Sequence, residues 1–286
     1  ENPDPAPGAP AAGRAPGAFF FAGLRRLAAS NWYTKRRSKG GGRNMEFYTA
    51  LGRYYDQVFP LGEGQLAFLT KYLDKPGPVA DLACGTGTYA KALAERGYRV
   101  VAVDLDGEMV RQAREKTRGL PVQVLEGDMR EAAALLQEEA PYSGVFCIGN
   151  SIVHLASQEE IAALCRDVYG LLRPGGVFII QIVNYDWVLQ EGVTALPTIQ
   201  REEVTFARKY IYRRPGEPIE FRGELTYLEE GKPVTVVNSV TLLPLRAAEL
   251  ERMLQEAGFA EVHIFGGFNE APHSTGAPAT VVLARK

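Results

Sequence analysis

From residue 79 to residue 183 the chain alternates between short apolar runs and stretches of helical period. The runs Val79–Leu82, Val100–Val103, Val122–Leu125, Gly144–Ile148 and Val177–Val183 are apolar at nearly every position. Such runs predict strands buried on both faces. The segments between them predict helices ending near Arg96 and Leu172 and spanning Asp106 to Thr117. Gly97 is a stop signal and Ser157-x-x-Glu160 a capping box. Pro174-Gly175-Gly176 reads as the turn into the strand that begins at Val177. Strand–helix alternation of this kind implies an α/β fold, a mostly parallel sheet with helices on both faces. Met45 to Leu73 predicts one helical segment with Tyr48, Leu51, Tyr54, Tyr55 and Phe59 on roughly one face. A helix from Arg246 to Ala257 and strands 261–266 and 279–285 complete the sheet.

Residues 187–243 follow another rhythm. Arg201–Phe206, Lys209–Arg213, Phe221–Tyr227 and Val234–Val240 alternate apolar with polar positions. Turn signals lie at Arg214-Pro215-Gly216-Glu217 and Glu229-Glu230-Gly231-Lys232. These predict an antiparallel β meander inserted between elements of the parallel sheet.

The ends of the parallel strands carry the chemistry. Val79-Ala80-Asp81-Leu82 runs into Ala83-Cys84-Gly85-Thr86-Gly87, and the strand at 100–103 ends in Asp104, nineteen residues after Gly85. Glycines let a backbone approach a ligand closely, and the next helix aims free N–H groups at the same place. A carboxylate one strand over accepts two hydrogen bonds from a ribose diol. This is a site for a nucleoside-bearing cofactor. Gly85-x-Gly87-x-x-Ala90 also fits the dinucleotide fingerprint, which leaves an NAD-type oxidoreductase as an alternative. Asp81 tilts the choice, because it lies where it could meet an ammonium group and a dinucleotide site has no cation there. Glu126-Gly127-Asp128-Met129 and Gly149-Asn150-Ser151 place more polar groups at the same sheet edge.

Together Asp81–Gly87, Val103-Asp104-Leu105-Asp106, Glu126–Met129 and Leu171-Leu172-Arg173-Pro174-Gly175-Gly176 resemble the class I S-adenosylmethionine-dependent methyltransferases, from about Met45 to Lys286. The resemblance implies a Rossmann-like, seven-stranded sheet and S-adenosyl-L-methionine as methyl donor. It also implies methylation of a small molecule at nitrogen or oxygen by direct displacement. It assigns the methionine moiety to the first motif, the ribose to Asp104 and the adenine to Asp128, with Met129 on the ring. The cofactor set it implies is Tyr55, Asp81, Ala83, Cys84, Gly85, Gly87, Asp104, Leu105, Met109, Gly127, Asp128, Met129 and Asn150. Ala83 stands where many members have glycine, which predicts a backbone outside the left-handed region. Tyr48 and Tyr55 are candidates for an aromatic face near the sulfonium. Asn150-Ser151-Ile152-Val153-His154-Leu155 resembles the corresponding segment of glycine- and sarcosine-type N-methyltransferases. His154 is the one candidate base, set against a histidine that caps the next helix. Asn184, Tyr185 and Arg222 are acceptor-site candidates. His263 reads as core or surface, and His273 lies near a loop that borders the site. A protein that binds the cofactor without catalysis is a further alternative.

Composition adds limits. The 286 residues carry a net charge of −2, divided as +6 over residues 1–44 and −8 over the remainder. An acidic body excludes a nucleic-acid substrate on charge grounds and suits a small amine. Residues 1–18 are rich in Ala, Pro and Gly and predict no fixed structure. The Arg-rich segment to residue 44 reads as a non-native extension before a start at Met45, with a transit peptide or a membrane or nucleic-acid arm as alternatives. The resemblance implies a methyltransferase domain over residues 45–286, with the 187–243 insert over its active site. No apolar run is long enough to span a membrane. Cys84, Cys147 and Cys165 lack metal-ligand spacing. Their odd number, without a secretory signal, predicts a reduced, cytoplasmic setting and no bound metal.

Overall fold

The computed structural model describes Phe47, residues 49–214 and residues 217–286. The extension at 1–44, the start at Met45, Tyr48 and the centre of the 214–217 turn lie outside those residues. Among the described residues, no helix is long and apolar enough to cross a membrane.

A helix, α1 (49–58), is followed by α2 (Glu63–Tyr72). The single segment expected up to Leu73 is thus two helices. Pro60 disfavours helical backbone at Phe59, and Gly62 adopts an extended conformation as the N-cap of α2. Strands and helices then alternate: β1 (Val79–Leu82), α3 (Thr88–Ala94), β2 (Val100–Asp104), α4 (Gly107–Lys116), β3 (Val122–Glu126), the short α5 (Ala132–Leu135) and β4 (Tyr142–Cys147). They continue as α6 (Gln158–Leu171), β5 (Leu172–Val183) and α7 (Tyr185–Gln190). The insert contributes β6 (Ala195–Gln200), β7 (Val204–Ile211), β8 (Ile219–Glu229) and β9 (Lys232–Leu242). The chain ends with α8 (Ala247–Ala257), β10 (Glu261–Phe265) and β11 (Ala279–Arg285).

The main sheet has seven strands in the order β10-β11-β5-β4-β1-β2-β3. Strands β1 to β5 are parallel, and β11 and β10 close the edge antiparallel. Chain order reverses between β1 and β4, where such sheets hold their ligands. Alternation along β1 decides which way Asp81 points. Ala80 and Leu82 pack with Val145, Leu164 and Ile180 on one face, while Val79 packs with Leu69, Leu93, Val110 and Phe146 on the other. Asp81 therefore falls on the face covered by α2, α3 and α4.

Two turn readings need correction. The strand β5 begins at Leu172, not Val177; the Pro-Gly-Gly segment is absorbed as an irregularity in its pairing with β4. The capping box of α6 is only half made. The Ser157 hydroxyl accepts from the Glu160 N–H, but the Glu160 carboxylate accepts from Ala156 N–H at 2.8 Å.

The insert is a four-stranded antiparallel meander, β6-β7-β8-β9. Arg201–Phe206 and Lys209–Arg213, read as two runs, belong largely to one strand, β7. The first strand, β6, escaped notice because Pro197 interrupts it; an edge position and a register shift accommodate the proline. At the other end Glu230 (φ 49°) and Gly231 (φ 77°) form the two-residue turn between β8 and β9. One face of the sheet is apolar. Its Phe206, Leu225, Tyr227 and Val236 pack on Leu51, Tyr54 and Val58 of α1. Tyr210, Ile219 and Leu242 join the main core near Tyr185, Val153 and Leu155.

Candidate cofactor and acceptor site

The loop after β1 winds through three left-handed residues: Ala83 (φ 59°), Gly85 (φ 55°) and Gly87 (φ 76°). The expectation for Ala83 fails. Its Cβ is carried in the left-handed region, a strain of about 1–2 kcal/mol. Gly85 has two reasons to lack a side chain, since a Cβ there would also lie 2.8 Å from the Tyr55 hydroxyl. Gly87 is the N-cap of α3, and a Cβ on it would press on Ala113 of α4 at 3.0 Å.

Two carboxylates flank this loop. Asp81 is 3% exposed, and its Oδ2 is buried without a hydrogen-bond partner. Burial first, and the nearby Asp104 second, push its pKa well above the usual carboxylate range. Asp104 accepts from the Gly85 N–H at 2.7 Å through Oδ2 and from the Asp106 N–H at 3.0 Å through Oδ1. Burial still raises it to about 6. Each of its oxygens keeps a lone pair for a further donor. Asp106, not Asp104, caps α4, accepting from the N–H groups of Glu108 and Met109.

The remaining cofactor candidates gather along the same edge. Leu105 is 46% exposed, a large apolar side chain left open beside Asp104. Met109 is buried on α4. Gly127 donates its N–H to the Asp104 carbonyl at 2.9 Å, and a Cβ on it would collide with Leu135. Met129 is partly buried against the core. Asp128 is engaged: it accepts from the Arg130 backbone and pairs with the Arg130 guanidinium at 2.5 Å. Burial alone would raise its pKa, but the Arg130 contacts hold it below the ordinary range. Cys84 is half-buried, and burial pushes its thiol up, away from reactivity. Cys147 and Cys165 are core residues.

Helix α1 lies over the loop. Its Tyr55 sits against Gly85, and burial raises the phenol pKa. Asp56 on the same helix accepts from Thr86, Thr88 and Lys116. The insert holds α1 from behind through Tyr54–Tyr227 and Phe59–Phe206 ring contacts at 5.4 and 6.0 Å.

At the end of β4, Asn150 (φ 69°) braces the loop: its Oδ1 accepts from the Val183 N–H at 3.0 Å and its Nδ2 donates to the Tyr185 hydroxyl at 3.2 Å. His154 closes a 3₁₀ turn, Ile152–His154. It does not cap the next helix, whose N-cap is Ser157. Its surface is exposed, yet the surrounding protein still desolvates the ring and lowers its pKa from 6.5. Asn184 is fully buried, capping α7 and donating to the carbonyls of Ser274 and Ala277, which is a structural task. Arg222 is exposed and pairs with Glu224 at 3.2 Å. His263 is exposed near Glu261, and His273 hydrogen-bonds Thr280 at 3.0 Å.

This geometry is a Rossmann-like sheet whose carboxyl edge carries a left-handed glycine loop, the accepting carboxylate of Asp104 and a buried Asp81 oxygen without a partner. A methyltransferase domain family model matches residues 79–176. The chain is 29% identical to the glycine/sarcosine N-methyltransferase of Aphanothece halophytica over 230 residues, which are 77% of this chain and 80% of the relative. It is 29% identical to the glycine N-methyltransferase of Rattus norvegicus over 182 residues, covering 58% of this chain and 54% of that enzyme. The CcbJ methyltransferase structure from Streptomyces caelestis superposes with a TM-score of 0.69 at 24% identity, over 82% of this chain and 95% of that one. The chain thus carries a methyltransferase domain at 79–176 and is similar to class I S-adenosylmethionine-dependent methyltransferases.

The residues present fit that cofactor. The Asp81 Oδ2, orphaned and buried, suits its ammonium group. Asp104 suits the ribose diol. When bound, S-adenosylmethionine supplies a methyl group already activated on a sulfonium.

Proposed function

We propose that this protein methylates the amine nitrogen of a small molecule, leaving S-adenosylhomocysteine. The observation that carries the cofactor half of this reading is the unpartnered Asp81 oxygen at the end of β1. A buried, uncompensated acceptor costs about 1–3 kcal/mol or more, and an ammonium group relieves it. NAD offers no such cation. The nitrogen half is supported by the relatives named for N-methylation of glycine and sarcosine.

In this reading α1 and the insert roof the loop and exclude water, and Tyr55 lies against Gly85 of that loop. The acceptor nitrogen forms its bond to the methyl carbon as the carbon–sulfur bond breaks. His154, neutral at working pH because its pKa is lowered, takes the proton that the amine loses. Alignment of the reacting atoms contributes most of the rate, up to about 7–11 kcal/mol of barrier.

The test is calorimetry with S-adenosylhomocysteine and with NAD, followed by an amine screen with labelled methyl donor. Micromolar binding of S-adenosylhomocysteine alone, weakened about 10- to 150-fold by Asp104→Ala, with label appearing on nitrogen, is the expected result. NAD binding in its place overturns the cofactor, and label on oxygen overturns the acceptor atom.

A further inference from the structure

The inward face of the insert is apolar at both ends and polar in one row. On β7 that face reads Val204, Phe206, Arg208, Tyr210; on β8 it reads Tyr227, Leu225, Gly223, Phe221; on β9 it reads Val234, Val236, Asn238, Val240. The register aligns Arg208 with Gly223 and Gly223 with Asn238. An arginine, a residue without a side chain and a buried asparagine thus cross a surface that is otherwise hydrophobic.

The position of this row follows from its neighbours. The Phe206 end packs on α1, which covers the cofactor loop. The Tyr210 end packs with Tyr185, which hydrogen-bonds Asn150 beyond β4. The polar row lies between these two anchors, one reaching the cofactor loop through α1 and the other reaching the end of β4 through Tyr185 and Asn150.

Arg208 is poorly satisfied there. One Nη donates to the Pro197 carbonyl at 2.7 Å, but its Nε is buried without a partner. No carboxylate pairs with it among the described residues, whereas Arg213 and Arg222 of the same sheet have Glu220 and Glu224. The Tyr210 hydroxyl beside it is also buried, and although it lies next to the Tyr185 hydroxyl it makes no well-formed hydrogen bond. A guanidinium partly withdrawn from water, with an idle N–H and a buried hydroxyl at its side, is a receptor for an anion.

We propose that Arg208 and Tyr210 bind an anionic group carried by the methyl acceptor, so that the acceptor is an amine bearing a carboxylate or a phosphate. This inference rests on the amine-methylation reading above. It places one inward cation in a body whose net charge is −8, which favours an amine with a single localised anion.

The test compares glycine and sarcosine with glycine methyl ester, and glucosamine 6-phosphate with glucosamine, in the wild-type protein, Arg208→Gln, Arg208→Lys and Tyr210→Phe. Retained S-adenosylhomocysteine binding confirms that each variant folds. The wild type is expected to prefer the anionic member of one pair, and that pair identifies the anion as carboxylate or phosphate. Arg208→Gln lowers the preference about 30-fold or more, Arg208→Lys restores part of it, and Tyr210→Phe lowers it several-fold. An unchanged preference in Arg208→Gln overturns the proposal. If no amine is methylated, the functional reading fails while the subsite still has its own test. Calorimetry of acetate and of phosphate with the S-adenosylhomocysteine complex then decides: binding that Arg208→Gln abolishes supports the anion subsite, and absence of binding overturns it.

Discussion

The Lys116 ammonium at the end of α4 reaches both oxygens of Asp56 on α1, at 2.6 and 2.8 Å, and donates to the Thr86 and Thr88 hydroxyls at 2.7 and 2.9 Å. One cation therefore ties the covering helix to the cofactor loop. Asp56 also accepts directly from Thr86 at 2.6 Å. Although burial alone would raise the Asp56 pKa, these partners bring it below the ordinary value. A depressed carboxylate contributes its stability above the unfolded pKa near 4 and loses it as pH falls through the folded value, so the clasp holds at neutral pH.

Lys116→Met is expected to free α1 without unfolding the sheet. The pair is partly exposed, so the loss of global stability is at most about 1 kcal/mol. The same bias acting on closure of α1 raises the S-adenosylhomocysteine Kd up to about 5-fold. Amide exchange is the decisive measurement: residues 49–58 should exchange faster while β1 and β4 do not change. Equal exchange in the two proteins would show that the clasp does not hold the helix. Because part of the pair faces solvent, raising salt should mimic the substitution weakly.

Ala83 makes a prediction of the opposite sign. Its left-handed backbone stores about 1–2 kcal/mol, and a glycine returns roughly 0.4–1 kcal/mol of that as unfolded-chain entropy. Ala83→Gly should therefore raise stability by about 0.5–1 kcal/mol, or roughly 2 °C in Tm. Gly85→Ala should do the reverse and more, because the added Cβ would lie 2.8 Å from the Tyr55 hydroxyl as well as at positive φ. A drop in Tm for Ala83→Gly would indicate that the Cβ makes contacts worth more than the strain.

These cases mark what the amino-acid order discloses. Asp81, Gly85, Gly87 and Asp104 were legible because strand, turn and helix follow one another and set the ends of β1 and β2 locally. The left-handed Ala83 was not, since alanine carries no signal for positive φ; the strain is imposed by the loop around it. Asp56 and Lys116 are sixty residues apart and meet only because α1 folds back over α4. Arg208 was hidden in the same way. Alternation placed arginines throughout the insert, but only the register of β7 with β8 and β9 shows that Arg208 faces inward and Arg222 outward. Pro197 concealed β6, and without β6 the meander lacks the carbonyl that holds the Arg208 guanidinium.

Asp104 gives cofactor binding a pH dependence. In the free protein its pKa is about 6, raised chiefly by burial. The folded value lies above the unfolded one, so its contribution to stability is complete below about pH 4 and is lost as pH rises through 6. Ribose hydroxyls donating to the carboxylate favour its ionised form. Binding of S-adenosylhomocysteine should then release a proton near pH 6, and the Kd should fall by up to about 10-fold from pH 5 to pH 6 before levelling above 7. Calorimetry in two buffers of different ionisation enthalpy counts the proton, and Asp104→Asn should remove the component near pH 6. A Kd that is flat from pH 5 to 7 would place the ribose elsewhere.

His154 supplies the last prediction, and it separates chemistry from binding. The side chain is exposed, and the protein around it desolvates the ring and lowers its pKa, so it is neutral at pH 7 and charged only in more acidic solution. If it takes the proton of the amine, activity should decline as pH falls through a value below 6.5, because the imidazolium cannot accept a proton. His154→Gln should lower kcat about 100-fold and abolish that acidic limb. The Kd for S-adenosylhomocysteine should be nearly unaltered, since His154 is not among the candidate cofactor residues. Stability should change by less than about 0.5 kcal/mol, as befits an exposed side chain. Full kcat in His154→Gln with the acidic limb intact would show that the proton leaves directly to water, and that alignment under the insert is sufficient for the reaction.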